Sequence, residues 1–183
     1  MRDVRHGIGA DHRIGYQFIY PGVGYEPQLL SAVDEVNDRQ KTVIARKVEA
    51  YFAEQGGVAD KTLALWGLAF KANTDDMREA PSLELIRHLT GLGMKIRAFD
   101  PVAGPNARRI LKDNPLVEIC DDQYDALNGA AALAVVTEWN QFRNPDFGKI
   151  KKGLTAPILF DGRNLYSPAL MAAEGFAYFC VGR

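Results

Sequence analysis

Three basic side chains stand in loops that follow predicted β-strands. Lys71 and Arg78 lie in the long loop 67–81 after one strand, and Arg163 lies in the loop 161–164 after another. Ligands of a doubly wound sheet bind beyond the carboxyl ends of its strands, so these cations are expected to converge on one rim. Guanidinium and ammonium groups in such a place favour a phosphate-bearing small molecule.

The carboxylates of the same loop give a second interpretation. Asp75, Asp76 and Glu79 lie within a few residues of both Lys71 and Arg78. The cations would then form ion pairs on a solvated loop and bind no ligand. The residues alone leave both interpretations open.

No catalytic nucleophile and no metal site are indicated. Cys120 ends one short predicted strand and Cys180 lies inside another, and both are expected to be buried, unreactive thiols. The three histidines, at positions 6, 12 and 88, lack the spacing of metal ligands. A Ser-His-Asp arrangement is not found either.

The glycine fingerprint of dinucleotide-binding folds is missing after the first strand. The segment Gly67-Leu68-Ala69-Phe70 stands where G-x-G-x-x-G would be required. A nucleotide on this sheet would therefore have to be held by other groups.

Composition excludes several classes of protein. The chain has 183 residues, of which 22 are Lys or Arg and 23 are Asp or Glu, and its net charge of −1 gives no general attraction to nucleic acid or to an anionic membrane. No apolar run approaches the roughly 20 residues of a membrane span. With two cysteines and no signal-peptide pattern, a reduced, cytoplasmic location is expected.

Hydrophobic periodicity predicts an α/β fold preceded by one long helix. Residues 26–55 carry apolar side chains at helical spacing, with Pro27 near the start and Gly56-Gly57 at the end. Short apolar strands then alternate with helices, which predicts a Rossmann-like, mostly parallel sheet covered by helices on both faces. Strands are predicted at 62–66, 95–99, 117–120, 131–136, 158–161 and 177–181, and helices at 82–92, 106–112, 123–127, 144–152 and 168–174.

These patterns divide the chain into three parts. Residues 1–25 are glycine-rich and loop-like, residues 26–57 form the long connecting helix, and residues 58–183 form the α/β domain. A helix of about 28 residues spans about 42 Å, which exceeds what a small domain needs. It is expected either to make a dimer contact or simply to pack along the core.

Several strings resemble the UDP-glucose 6-dehydrogenase family. LALWGLAFKANTDDMREAPSLELI, residues 63–86, is similar to the start of that family's C-terminal domain. AFDPVA (98–103), VVTEW (135–139) and LFDGRN (159–164) follow in the family's order, and GIGADHRIGYQFIYPGVGY (7–25) resembles the stretch before its catalytic cysteine loop. Enzymes acting on UDP-N-acetylmannosamine or GDP-mannose are similar in outline.

The resemblance implies an NAD-dependent oxidoreductase of nucleotide-sugar metabolism as the parent protein. Such enzymes oxidise UDP-glucose twice to UDP-glucuronate through a cysteine thiohemiacetal and thioester. In them, a long helix joins an N-terminal NAD domain to a UDP-binding domain and forms the homodimer contact. The chain is thus expected to bind UDP or UDP-glucose and to dimerise through residues 26–55.

Two departures from the family's pattern imply that this chain alone is inactive. The NAD domain is missing, and the family's GGSCFPKD loop, which should follow Gly22, Gly24 and Tyr25, gives way directly to Glu26. No catalytic residue of the family remains. A purely structural dimerisation module is the alternative function.

The remaining family positions give the expected site residues. The resemblance assigns Phe70, Lys71 and Arg163 to the UDP-sugar, and Arg78 to NAD across the domain cleft. It assigns Arg13 to the substrate of the neighbouring subunit. The sugar–nucleotide pocket is expected to include Phe18, Tyr20, Gly22, Gly24 and Tyr25.

Overall fold

A computed structural model of the chain describes residues 28–182, apart from the side chain of Leu30. The helices are α1 (Gln28–Ala53), α2 (Pro81–Gly91), α3 (Gly104–Ile110), α4 (Asn140–Arg143), α5 (Phe147–Gly153) and α6 (Pro168–Ala173). The strands are β1 (Thr62–Trp66), β2 (Lys95–Phe99), β3 (Val117–Ile119), β4 (Ala132–Val135), β5 (Ile158–Asp161) and β6 (Ala177–Cys180), and a 3₁₀ turn covers Asp125–Leu127.

The six strands form one sheet in the order β3-β2-β1-β4-β5-β6, and every pair is parallel. This confirms the predicted Rossmann-like α/β fold. Its strand order reverses between β1 and β4, because the chain winds to one side of β1 before it returns to the other. That reversal is where doubly wound folds leave a crevice for ligands.

Alternation along the strands gives the sheet two apolar faces. Leu63 and Leu65 of β1 belong to one buried cluster, whereas Ala64 and Trp66 belong to the other. The first cluster includes side chains of α2 and of the C-terminal half of α1, and the second includes side chains of α4, α5 and α6. Both faces are therefore covered, as the alternation of short strands with helices predicts.

The helix α1 places its C-terminal half in the core. Ile44, Val48 and Phe52 recur every four residues, and all three are buried. Burying a side chain of this size stabilises a fold by about 1.5–3 kcal/mol. The described chain divides into two compact units between Gln40 and Lys41, so this half of the helix belongs to the same unit as the sheet.

Three predicted helices have different bounds in the structure. The helix predicted over 106–112 is α3 (Gly104–Ile110), and the one predicted over 123–127 is the 3₁₀ turn at Asp125–Leu127. Residues 144–152 were expected to be helical, but α5 begins at Phe147, and the four-residue α4 precedes it. Asn144 is non-helical because Pro145 follows it, and a residue before proline is disfavoured in the α conformation. Asp146 then caps α5 by accepting a hydrogen bond from Lys149 N at 2.9 Å.

Candidate functional site

The carboxyl ends of four adjacent strands are in register and form one edge of the sheet, the rim. Trp66, the last residue of β1, pairs with Phe99 at the end of β2 and with Val135 at the end of β4, and Val135 pairs with Asp161 at the end of β5. The loops that begin at residues 67, 100, 136 and 162 therefore leave the sheet side by side. This confirms that the loops carrying Lys71 and Arg163 belong to one edge.

The loops after β1 and β4 cross in direct contact. Gly67 has φ +93°, and a Cβ at this position would lie 2.5 Å from Thr137 Cβ. Only glycine fits so close an approach at positive φ. The Thr137 hydroxyl donates to the Ala69 carbonyl at 2.7 Å, and Ser82 Oγ donates to the Leu68 carbonyl at 2.6 Å. The backbone of residues 67–69 is thus held from two sides.

A buried carboxylate, Asp100, holds three loops together. It is 5% exposed, and its Oδ2 accepts hydrogen bonds from Leu68 N at 2.7 Å, Ala69 N at 3.1 Å and Trp139 Nε1 at 3.1 Å. Its Oδ1 accepts from the backbone of residues 102 and 103 in its own loop. Hydrogen bonds to a charged acceptor are stronger than those to a neutral one, so this carboxylate fixes the positions of the three loops at the rim.

This arrangement does not fit a dinucleotide. A Rossmann fold offers the backbone N–H groups after β1 to the cofactor's pyrophosphate. Here those of Leu68 and Ala69 already donate to Asp100. The sequence prediction that this sheet lacks the usual glycine turn is consistent with that geometry.

Arg163 spans the rim from β5 to β1. Its Nη2 donates to the Phe70 carbonyl at 2.9 Å, and its Nε donates to the Val136 carbonyl at 3.0 Å. Glu138 Oε2 also lies 3.0 Å from Nε. The guanidinium therefore joins the loops after β1, β4 and β5, a role that the sequence did not predict.

Asp161, at the end of β5, orients the loop that carries Arg163. Its Oδ1 accepts from Arg163 N at 2.9 Å, and its Oδ2 accepts from Tyr178 OH at 2.8 Å and Tyr166 N at 3.1 Å. Burial raises the pKa of Tyr178, and the Asp161 carboxylate raises it further. The phenol consequently stays protonated and keeps donating to the carboxylate.

Phe70 and Lys71 project from the same loop into solvent. The Phe70 ring is exposed, although its carbonyl is held by Arg163 and its N–H donates to the Asp76 carbonyl at 2.9 Å. Lys71 is exposed, and no ion pair joins it to the described residues. An apolar ring beside an available ammonium group can receive a base or sugar together with a phosphate.

Arg78 occupies a different part of the loop. Its Nε and Nη2 donate to both carboxylate oxygens of Asp76 at 2.7–3.2 Å, and the pair is exposed. These hydrogen bonds lower the pKa of Asp76 to about 2. The ion-pair interpretation therefore holds for Arg78, which lines an open cleft of about 460 Å³ together with Asn106 and Arg109 of α3.

The other candidate residues are buried or lie outside the described residues. Cys120 and Cys180 are buried, and burial raises the pKa of the Cys120 thiol. Within residues 28–182, no three side chains gather as metal ligands and no helix is long and apolar enough to cross a membrane. The predicted pocket residues Arg13, Phe18, Tyr20, Gly22, Gly24 and Tyr25 fall outside the described residues.

Sequence reasoning placed several residues at the rim without giving them a function. Asp100, Thr137 and Glu138 were expected only as loop residues, yet each contacts a neighbouring loop. The available signal was a polar residue immediately after a buried strand, in AFDP and in VVTE.

Comparison with known proteins identifies relatives of this domain. Residues 64–168 match the family model of the UDP-glucose/GDP-mannose dehydrogenase family, UDP binding domain. UDP-glucose 6-dehydrogenases of Pseudomonas aeruginosa and Rhizobium meliloti are 43% and 34% identical to the chain, with all of this chain and 45% and 46% of those proteins covered. The chain thus spans about half the length of these curated relatives.

The comparisons also bear on the fold and on the continuity of the chain. A UDP-glucose dehydrogenase of Pyrobaculum islandicum superposes with a TM-score of 0.72 at 25% identity, over 91% of this chain and 35% of that one. The match to the Pseudomonas protein extends over 215 residues, which is longer than the 183-residue chain. That relative therefore has residues inside the aligned stretch with no counterpart here.

Proposed function

The chain belongs to the UDP-glucose/GDP-mannose dehydrogenase family, with the UDP-binding domain of that family, and we propose that it binds UDP and UDP-sugars at the strand-end rim. Lys71 and Phe70 contact the ligand, and Arg163 contacts it while holding the loops in place. The observation that carries the proposal is that Arg163 bonds to the carbonyl of Phe70, next to Lys71. Both cations of the family's motifs thus belong to one connected site.

Charge and geometry support a diphosphate as the anchoring group. A charge-assisted hydrogen bond contributes about 1.5–3 kcal/mol, so two such contacts contribute about 3–6 kcal/mol. The expected dissociation constant is on the order of 0.1–1 mM, which corresponds to about 4–5.5 kcal/mol. UDP and UDP-glucose are expected to bind almost equally, because the residues expected to contact the sugar lie mainly outside this domain.

We propose that the longer parent protein oxidises UDP-glucose to UDP-glucuronate with NAD, and that this chain alone is inactive. The names of the relatives support the first part, since both are UDP-glucose 6-dehydrogenases. The second part is supported by the two cysteines of the chain, both of which are buried. Incubation with UDP-glucose and NAD should give no NADH absorbance, and a turnover rate above background would contradict this.

A homodimer formed through α1 is a further part of the proposal. Leu29, Val33 and Val36 are exposed and recur at i, i+4 and i+7, which gives an apolar stripe on the first half of the helix. Sedimentation should show a dimer that Val33→Glu converts to monomer, whereas Leu170→Glu on α6 leaves it intact. A monomeric wild type at tens of micromolar would contradict the proposal.

Calorimetric titration of UDP tests the binding site. Lys71→Ala should weaken binding about tenfold, because the ammonium loses its contact with the diphosphate. Lys152→Ala is the matched control, since that exposed lysine lies at the end of α5, at the opposite edge of the sheet. Absence of binding by the wild type at millimolar UDP would favour the structural alternative, and equal losses in both variants would place the site elsewhere.

A further inference from the structure

Glu138 occupies a rigid position at the centre of the rim. Its neighbours Thr137 and Trp139 are both buried and hydrogen-bonded, the first to the Ala69 carbonyl and the second to Asp100. The backbone that carries Glu138 is therefore fixed on both sides. Its side chain lies against Arg163.

One oxygen of this carboxylate is buried without a hydrogen bond. Glu138 Oε2 is shielded from solvent and receives no hydrogen bond from the described residues, although Arg163 Nε lies 3.0 Å away. The single hydrogen on that Nε is directed instead to the Val136 carbonyl, also at 3.0 Å. A buried carboxylate oxygen in this state is unfavourable, so its presence requires an explanation.

The explanation is that the charge of Glu138 attracts the Arg163 guanidinium. A carboxylate at 3.0 Å attracts the cation strongly in a half-buried site, where Arg163 and Glu138 are 32% and 35% exposed. Glu138 attracts Arg163 without accepting the hydrogen bonds that Arg163 donates to the Val136 and Phe70 carbonyls. Arg163 is thereby kept across the three loops while its Nη1 has no hydrogen-bond partner among the described residues.

We propose that Glu138 is a positioning residue for ligand binding, which acts through Arg163 to hold the Phe70–Lys71 segment at the rim. This rests on the proposed function, since the ligand is the UDP group. Glu138 itself touches no ligand. Its charge is already offset by Arg163, so the positioning effect exceeds its repulsion of the diphosphate.

A double-mutant cycle measures this coupling. Glu138→Gln keeps the shape of the side chain and removes its charge, and it should weaken UDP binding three- to tenfold by calorimetry. In the Arg163→Gln background, the same change should alter affinity by less than 1.5-fold, because there is no guanidinium left to position. Glu174→Gln is the matched control: it also removes a half-exposed charge that is paired with a cation, but at the opposite edge of the sheet.

A second readout does not depend on UDP. The Arg163 Nε–Hε signal, assigned by its loss in Arg163→Gln, should exchange with solvent at least tenfold faster in Glu138→Gln and at the same rate in Glu174→Gln. Circular dichroism confirms that each variant is folded. An unchanged exchange rate, an equal loss of affinity in both backgrounds, or tighter binding by Glu138→Gln would overturn the proposal. If the wild type binds no UDP, the proposed function fails, and the exchange rate alone decides whether Glu138 positions Arg163.

Discussion

Replacing Gly67 by alanine tests the close approach of the β1 and β4 loops on which the rim depends. The added Cβ would lie 2.5 Å from Thr137 Cβ, 2.6 Å from its hydroxyl oxygen and 2.7 Å from its backbone nitrogen. Because one of these atoms belongs to the backbone, a rotation of the Thr137 side chain does not relieve the overlap. The two loops must separate, and residues 68–71 must move with them.

The expected loss of stability has two parts, which are backbone strain and overlap of the added methyl group. An alanine at φ +93° is strained by about 1–2 kcal/mol in its backbone. Forcing an extra methyl group into a packed contact adds about 1–3 kcal/mol. Gly67→Ala should therefore lower the free energy of unfolding by about 2–5 kcal/mol, a large part of the 5–15 kcal/mol typical of a folded domain.

Gly175→Ala provides the matched control. Gly175 has φ +76°, and a Cβ there would meet no atom within 4 Å. This variant has only the backbone strain, so its free energy of unfolding should fall by about 1–2 kcal/mol. Urea denaturation followed by circular dichroism gives both values. A Gly67→Ala protein no less stable than Gly175→Ala would refute the close contact between the loops.

Three further predictions concern titration and reactivity. Asp76 has a pKa of about 2 in the folded chain, against an ordinary 3.8. The stability it contributes is therefore complete above pH 3.8 and is lost as the pH falls through 2, and Arg78→Gln should return its pKa, followed by NMR, towards the ordinary value. Tyr178 has a raised pKa, so its phenolate absorbance should appear in an alkaline titration only when the chain unfolds; ionisation at the ordinary pKa would contradict its bond to a buried carboxylate. Cys120 and Cys180 are buried and should react with a thiol reagent at pH 8 only after denaturation, whereas immediate reaction of either would show that its strand end is open.

The α/β fold was predictable because its signals are local. Each strand is a short apolar or alternating run next to a turn, and TLALW and KIRAF have in the structure the bounds that the sequence predicts. The long helix was predictable from its four-residue repeat of buried side chains, and α1 ends at Ala53, two residues before the predicted end. The bounds of α4 and α5 were missed because Pro145 interrupts an otherwise helical pattern.

The connections within the rim were not predictable from the same signals. That Thr137 touches Gly67 follows from the pairing of β1 with β4. The paired residues, such as Leu63 and Ala132, are 69 positions apart, and no local sequence pattern indicates that the two strands are neighbours. For Arg163, the family resemblance predicted a ligand contact, and it gave no sign of the two backbone carbonyls to which the side chain donates in the structure. Its partner Glu138 follows β4, so this pairing depends on strand order as well.

Amide chemical shifts of the 183-residue chain during a titration with UDP test the central claim most directly. If UDP binds at the strand-end rim, the largest changes will fall in residues 67–71, 136–139 and 161–164, and they will saturate at millimolar concentrations. Shifts confined to the cleft beside Arg78 and Arg109, or no shifts at millimolar UDP, would contradict the account.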